Sequence, residues 1–131
     1  MRAIARRESG RLKHDVEIGE HHVIADEPER NGGDNSGPSP QELLAASLAS
    51  CTAVTIEMYA RRKGWEIGEV TVDVDYEPAQ RGSPTRFSLA VTMPKEIPEE
   101  QRERLMQIAA KCPVHRTLES EVMFDERVEL V

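Results

Sequence analysis

Apolar and polar residues alternate through the first third of the chain in short runs, over residues 1–8, 11–18 and 21–26, broken by Glu8-Ser9-Gly10 and Ile18-Gly19-Glu20. In the second run Leu12, His14, Val16 and Ile18 share one face, the two-residue period of a half-covered strand. Residues 27–39 follow with Pro28, Gly32, Gly33, Gly37 and Pro38 and almost nothing apolar, which predicts an exposed, flexible connection. It is long for a simple linker, so it is also a place to look for function.

The pattern then changes period. Ser39-Pro40-Gln41-Glu42 writes a helix start: a Ser N-cap, Pro at the first helical position, and Glu placed to close a capping box. Arg61, Arg62 and Lys63 suit the negative end of the helix dipole, and Gly64 supplies the stop. A helix between those signals is about 36 Å long. From Leu43 to Ile56 it carries no charged residue on any face, which predicts that it is wrapped on most sides, with Cys51 inside the wrapped part.

Val70, Val72, Val74 and Tyr76 alternate with polar residues, and so do Phe87, Leu89, Val91 and Met93 after the Arg81-Gly82-Ser83-Pro84 turn, which reads as an antiparallel hairpin. A second helix is expected from near Pro98 to about Lys111, with Leu105, Ile108, Ala109 and Cys112 on its apolar face. Pro113 disfavours helical geometry at Cys112, so the chain breaks there and can restart as a short helix over Val114 to Leu118, with Cys112 as N-cap. The last run, residues 122–131, reads as a closing strand. The order of elements is that of an α+β domain.

Composition narrows the function. A chain of 131 residues has the size of one domain, residues 1–131, and its 4% aromatic content leaves Val, Leu, Ile, Met and Ala to build the core, so dimerisation is a natural way to complete it. The formal net charge of −7 argues against nucleic acid and anionic membrane surfaces as partners. The N-terminus MRAIARRESG has no apolar signal region, and no stretch reads as a membrane span, so the expected location is cytoplasmic. Cys51 and Cys112 stand far apart and form neither a disulfide-dense scaffold nor a CxxC motif. Each is by default an inert buried thiol, and Cys51 in particular can be read as a small core hydrophobe. Both nevertheless point inward from separate helices, which leaves open that they pair.

The residues around both cysteines carry a resemblance. Gly32-Gly33-Asp34-Asn35-Ser36-Gly37-Pro38-Ser39-Pro40-Gln41-Glu42-Leu43-Leu44-Ala45-Ala46-Ser47-Leu48-Ala49-Ser50-Cys51-Thr52 resembles the first signature of the OsmC/Ohr family, and Cys112-Pro113-Val114-His115-Arg116-Thr117-Leu118 is similar to the second. The order of elements fits that family over essentially the whole chain. The resemblance implies an intertwined homodimer with antiparallel sheets around a long cysteine-bearing helix and apolar pockets at the subunit interface. It implies a peroxidase in which Cys51 attacks an organic hydroperoxide, Cys112 resolves the sulfenic acid as a disulfide, and an external thiol reductant closes the cycle, with no cofactor or metal.

Spacing alone favours the opposite roles. Cys112 at a helix N-terminus gains from the dipole, whereas an apolar setting raises the pKa of Cys51. Assigning attack to Cys51, as the resemblance does, requires a cation beside it. The family places an Arg in the N-terminal β region and a Glu ten positions before the first cysteine; here that position is Gln41, and Glu42 lies one residue further on. Glu42 sits about 13 Å from Cys51 along the helix, half a turn away from its face, and a capping role suits it better. Arg7 and Arg11, flanking Ser9-Gly10, are the nearest candidates for the cation. His14, His21, His22 and His115 lack metal-ligand spacing, and Arg116 reads as a surface cation that pairs with carboxylates. Two rival functions fit the same residues: a redox sensor or thiol–disulfide module with little peroxidase turnover, and a dimeric protein binding an apolar ligand with its cysteines merely packed.

Overall fold

In the computed structural model, which describes residues 1–131, the first three runs fold as strands Ala3–Arg7 (β1), His14–Ile18 (β2) and His21–Ala25 (β3). They form an antiparallel sheet in that order, with Val16 facing Ala5 across one ladder and Val23 across the other. Ile18 pairs with His21, so Gly19 and Glu20 form a two-residue turn, and Gly19 adopts a φ of 61° that a side chain would resist. These elements belong to one unit of the chain, Met1–Ala46 with Tyr76–Arg86; a second unit comprises Ser47–Asp75 with Phe87–Val131.

Within the first unit, residues 27–39 are not the flexible linkage that their composition suggests. Asp26 is buried, and its carboxylate accepts the Ser36 hydroxyl together with the amides of Ser36 (3.0 Å), Glu27 (2.8 Å) and Asp34 (3.3 Å). The Ser36 hydroxyl, then these amides, pull its pKa down to about 2. Gly33 is required by close approach: a Cβ there would sit 2.0 Å from the Glu27 carbonyl oxygen. Prolines and glycines fold this segment tightly because one carboxylate supplies the acceptors that a helix or ladder would otherwise provide.

The long helix, Pro40–Lys63 (α1), begins as predicted. The Ser39 amide donates to Glu42 Oε1 (2.9 Å) and the Glu42 amide to Ser39 Oγ (3.1 Å), a closed capping box. At the other end Gly64 turns at a φ of 70°, and the Trp65 amide caps the Ala60 carbonyl at 2.9 Å. By length and composition alone α1 could cross a bilayer, with a mean hydropathy of 1.4 over its best window, which corrects the reading that no stretch approaches a span.

In the second unit Leu48, Thr52, Ile56, Tyr59 and Ala60 line the buried face of α1. Thr71–Glu77 (β4) and Arg86–Thr92 (β5) form a two-stranded sheet, followed by the helices Glu99–Ala109 (α2) and Pro113–Glu119 (α3). Ile56, Tyr59, Ala60, Ile67, Ile97, Leu105 and Ala109 make one core cluster, with Trp65, Val91, Met93 and Ile108 packed against it. The expectation that α1 is wrapped on most sides does not hold within a single chain: Val54 and Met58 are 52% and 60% exposed. Nor do residues 122–131 form a strand. They carry no regular structure and are exposed, because an apolar run becomes a strand only where a neighbouring backbone offers a ladder, and none is offered within this chain.

Candidate active site

Cys51 occupies the middle of α1, five residues before the buried Ile56 and next in sequence to the fully buried Thr52. Cys112 terminates the break between α2 and α3: with φ −61° and ψ 141° it stands outside the helix as N-cap, and Pro113 takes the first helical position. Its sulfur accepts the His115 amide at 3.3 Å, as a Ser or Asp cap would. This break is what turns Cys112 toward α1. A helix continuing through Lys111 would carry the side chain onward by its own period, whereas the extended Cys112 directs it at Thr52, whose hydroxyl lies 3.8 Å from the sulfur.

The two thiols meet. The Cys112 sulfur is near enough to Cys51 to disfavour its thiolate, and both are free thiols in this structure. Burial pushes the Cys51 thiol up, and its contact with Cys112 pushes it in the same direction, since a second negative charge beside the first is unfavourable. The Val114 amide and the Thr55 hydroxyl act against this by stabilising the thiolate, and they do not overcome it. Consecutive amides at the start of α3, those of Val114 and His115, thus serve one sulfur each.

Exposure separates the two sulfurs. Cys51 is half-buried, whereas Cys112 is 0% exposed, so a substrate can reach only the first without rearrangement. The helix-terminus argument that favoured Cys112 is sound about its geometry, but that sulfur is sealed under Thr52 and α3.

The remaining candidates engage other partners. Arg11 donates from Nε to Asp34 (3.1 Å) and from Nη2 to the Gly33 carbonyl (2.8 Å), and Arg7 donates to the Gly10 carbonyl (2.9 Å). Glu42 closes the capping box, and Gln41 is exposed in the first turn of α1. None of the groups that most influence Cys51 is a cation. The His115 ring pairs with Glu119 at 2.7 Å, and Arg116 is exposed without the carboxylate partner expected of it. No three His, Cys, Asp or Glu side chains converge as metal ligands would. Sequence reasoning missed Thr52, Thr55 and the two α3 amides around the sulfurs. Thr55 sits four positions after Cys51, the spacing that brings a side chain alongside it on a helix, and that signal was available; Thr52, one position on, faces Cys112 instead, which no local spacing announces.

Comparison with known proteins places the chain in a family. Residues 33–127 match the family described as OsmC-like protein, and the chain belongs to that family. It is similar to a Psychrobacter arcticus protein solved as a candidate osmotic stress induced and detoxification response protein, at 28% identity over 88% of this chain and 85% of that one, with a TM-score of 0.74. It is also similar in fold to the organic hydroperoxide resistance protein OhrB of Bacillus subtilis, at 22% identity, 89% and 90% coverage and a TM-score of 0.58. A Haloferax volcanii protein of uncharacterised role is 26% identical over 97 residues, 72% of this chain and 74% of its own length. The fold is OsmC/Ohr-like, mixed α and β with antiparallel sheets and three helices.

Proposed function

We propose that the protein is a thiol-dependent peroxidase acting on organic hydroperoxides, with Cys51 as the attacking thiol and Cys112 as the resolving one. The observation that carries this reading is a reachable sulfur directly beside a sealed one. The Cys51 thiolate attacks the distal peroxide oxygen, an S–O bond forms as the O–O bond breaks, and the alkoxide takes a proton and leaves as alcohol. The Cys112 sulfur then displaces hydroxide from the Cys51 sulfenic acid, its proton leaves with that oxygen as water, and the disulfide forms. An external dithiol restores both thiols. Because Cys112 is already in contact, resolution competes well with over-oxidation.

A second reading, a thiol–disulfide or redox-sensing module with slow peroxide turnover, is favoured by the raised Cys51 pKa without a neighbouring cation. Homodimerisation belongs to the proposal too: Val54 and Met58 on α1, and Phe124, Val128 and Leu130 in the tail, lie open to solvent. A monomeric mass in sedimentation at micromolar concentration would remove that part.

The test mixes each reduced protein with one equivalent of cumene hydroperoxide and follows peroxide loss and protein mass together. Cys51→Ser should consume none. Cys112→Ser should turn over once and then accumulate sulfinic acid on Cys51, and the parent should yield a Cys51–Cys112 disulfide. Reversed behaviour of the two variants assigns attack to Cys112; slow disulfide formation in the parent, with rapid exchange against a small disulfide, favours the second reading.

A further inference from the structure

Away from the sulfur pair, the end of α1 and the outer face of α2 enclose a cleft of about 540 Å³. Its walls include Tyr59 and Trp65, whose rings meet edge to face at 5.7 Å, together with Lys63 and Arg104. The Arg104 guanidinium donates from Nε to the Tyr59 hydroxyl at 2.9 Å and stands 5.5 Å from the ring centroid; Lys63 and Arg62 stand 5.7 and 5.9 Å from it. Three cations around one phenol is an expensive arrangement in isolation. The chain's ion pairs engage Arg6, Arg11, Arg127, His22 and His115, so these three cations take no carboxylate partner in a protein whose net charge is −7. Glu100 and Glu103 also line the cleft, yet both are exposed and neither pairs with Lys63 or Arg104.

We propose that this cleft is a second ligand site, one that takes a planar aromatic carboxylate. Its volume is in the range of small-molecule pockets, the half-buried Trp65 offers an aromatic wall, and the charges of Lys63 and Arg104, which has only the neutral Tyr59 and Gln107 as hydrogen-bond partners, supply the anion's partners. The phenol is held below its usual pKa, first by the Arg104 bond, which reports the same positive field. Tyr59 follows Cys51 by eight residues, about 12 Å along the helix axis, so the site is distinct from the thiols and does not depend on the peroxidase reading.

The test is calorimetric titration of the full chain with 2-naphthoate and, separately, with the uncharged 2-naphthamide. Trp65 is the chain's single tryptophan, so its fluorescence reports occupancy of this cleft and no other. Naphthoate should bind and shift Trp65 emission, with affinity falling in high salt. Lys63→Gln, an exposed substitution that leaves the Arg104–Tyr59 bond in place, and Arg104→Gln should each weaken it about tenfold, the worth of a charge-assisted hydrogen bond. The amide should bind much more weakly. Equal binding of acid and amide, unchanged affinity in Lys63→Gln, or no binding at millimolar naphthoate overturns the proposal. Circular dichroism and the rate of Cys51 alkylation establish that each variant is folded.

Discussion

Alkylation of Cys51 by iodoacetamide is expected to accelerate about tenfold per pH unit from about pH 6 to about pH 8.5, without a plateau, because only the thiolate reacts. The magnitude follows from what surrounds the sulfur. Burial lifts the thiol above its ordinary 9.0, Cys112 lifts it further, and the Val114 amide and Thr55 hydroxyl recover only part of the difference. A thiol whose pKa lies above the whole range stays a minor thiolate throughout, so its rate follows hydroxide concentration and rises roughly 300-fold across that interval. The rate is followed under pseudo-first-order conditions and assigned to Cys51 by peptide mass, since the sealed Cys112 should lag well behind.

A plateau at or below about pH 7.5 would refute this reasoning, because a buried thiol is held that low only where a cation or further hydrogen-bond donors stabilise its thiolate. Repeating the measurement across protein concentrations would then show its source. A plateau that disappears on dilution places the stabilising group on a second copy of the chain, and one that persists places it on the same chain.

The remaining predictions concern the scaffold. Leu105→Ala removes a fully buried side chain from the core cluster and should cost about 2–5 kcal/mol in urea unfolding with an unchanged denaturant slope; a loss well under 1 kcal/mol would mean that the cluster relaxes to fill the space. Ser39→Ala opens the capping box and should cost about 1 kcal/mol, with no effect on thiol alkylation. Asp26 has a folded pKa below its unfolded one, so its contribution is complete above the unfolded value near 3.8 and is lost as pH falls through about 2. The Ser36 amide resonance should therefore shift with a midpoint near 2, and a midpoint near 4 would show that the carboxylate is not held as described.

The capping box at Ser39 and Glu42, the turn at Gly19 and the proline-induced break at Cys112 were all legible in the sequence; β2 formed as a strand, but its burial does not alternate, and Leu12 and Ile18 are exposed. Each of the legible features rests on residues within about five positions of one another, where backbone geometry and local hydrogen bonding decide the outcome. The family signatures, being contiguous, were legible for the same reason. Tertiary structure alone decided that Cys51 and Cys112 touch, and that one is reachable while the other is sealed. It also turned residues 27–39 from a loop of prolines and glycines into a shell around Asp26, through bonds that reach ten positions along the chain. Composition misled about α1 and the last ten residues because an apolar pattern records that a surface is to be covered and not which chain covers it. The exposed Val54 and Met58, and the unpaired backbone of residues 122–131, are where that difference becomes physical: burial and strand pairing depend on what is brought alongside, which no local pattern specifies.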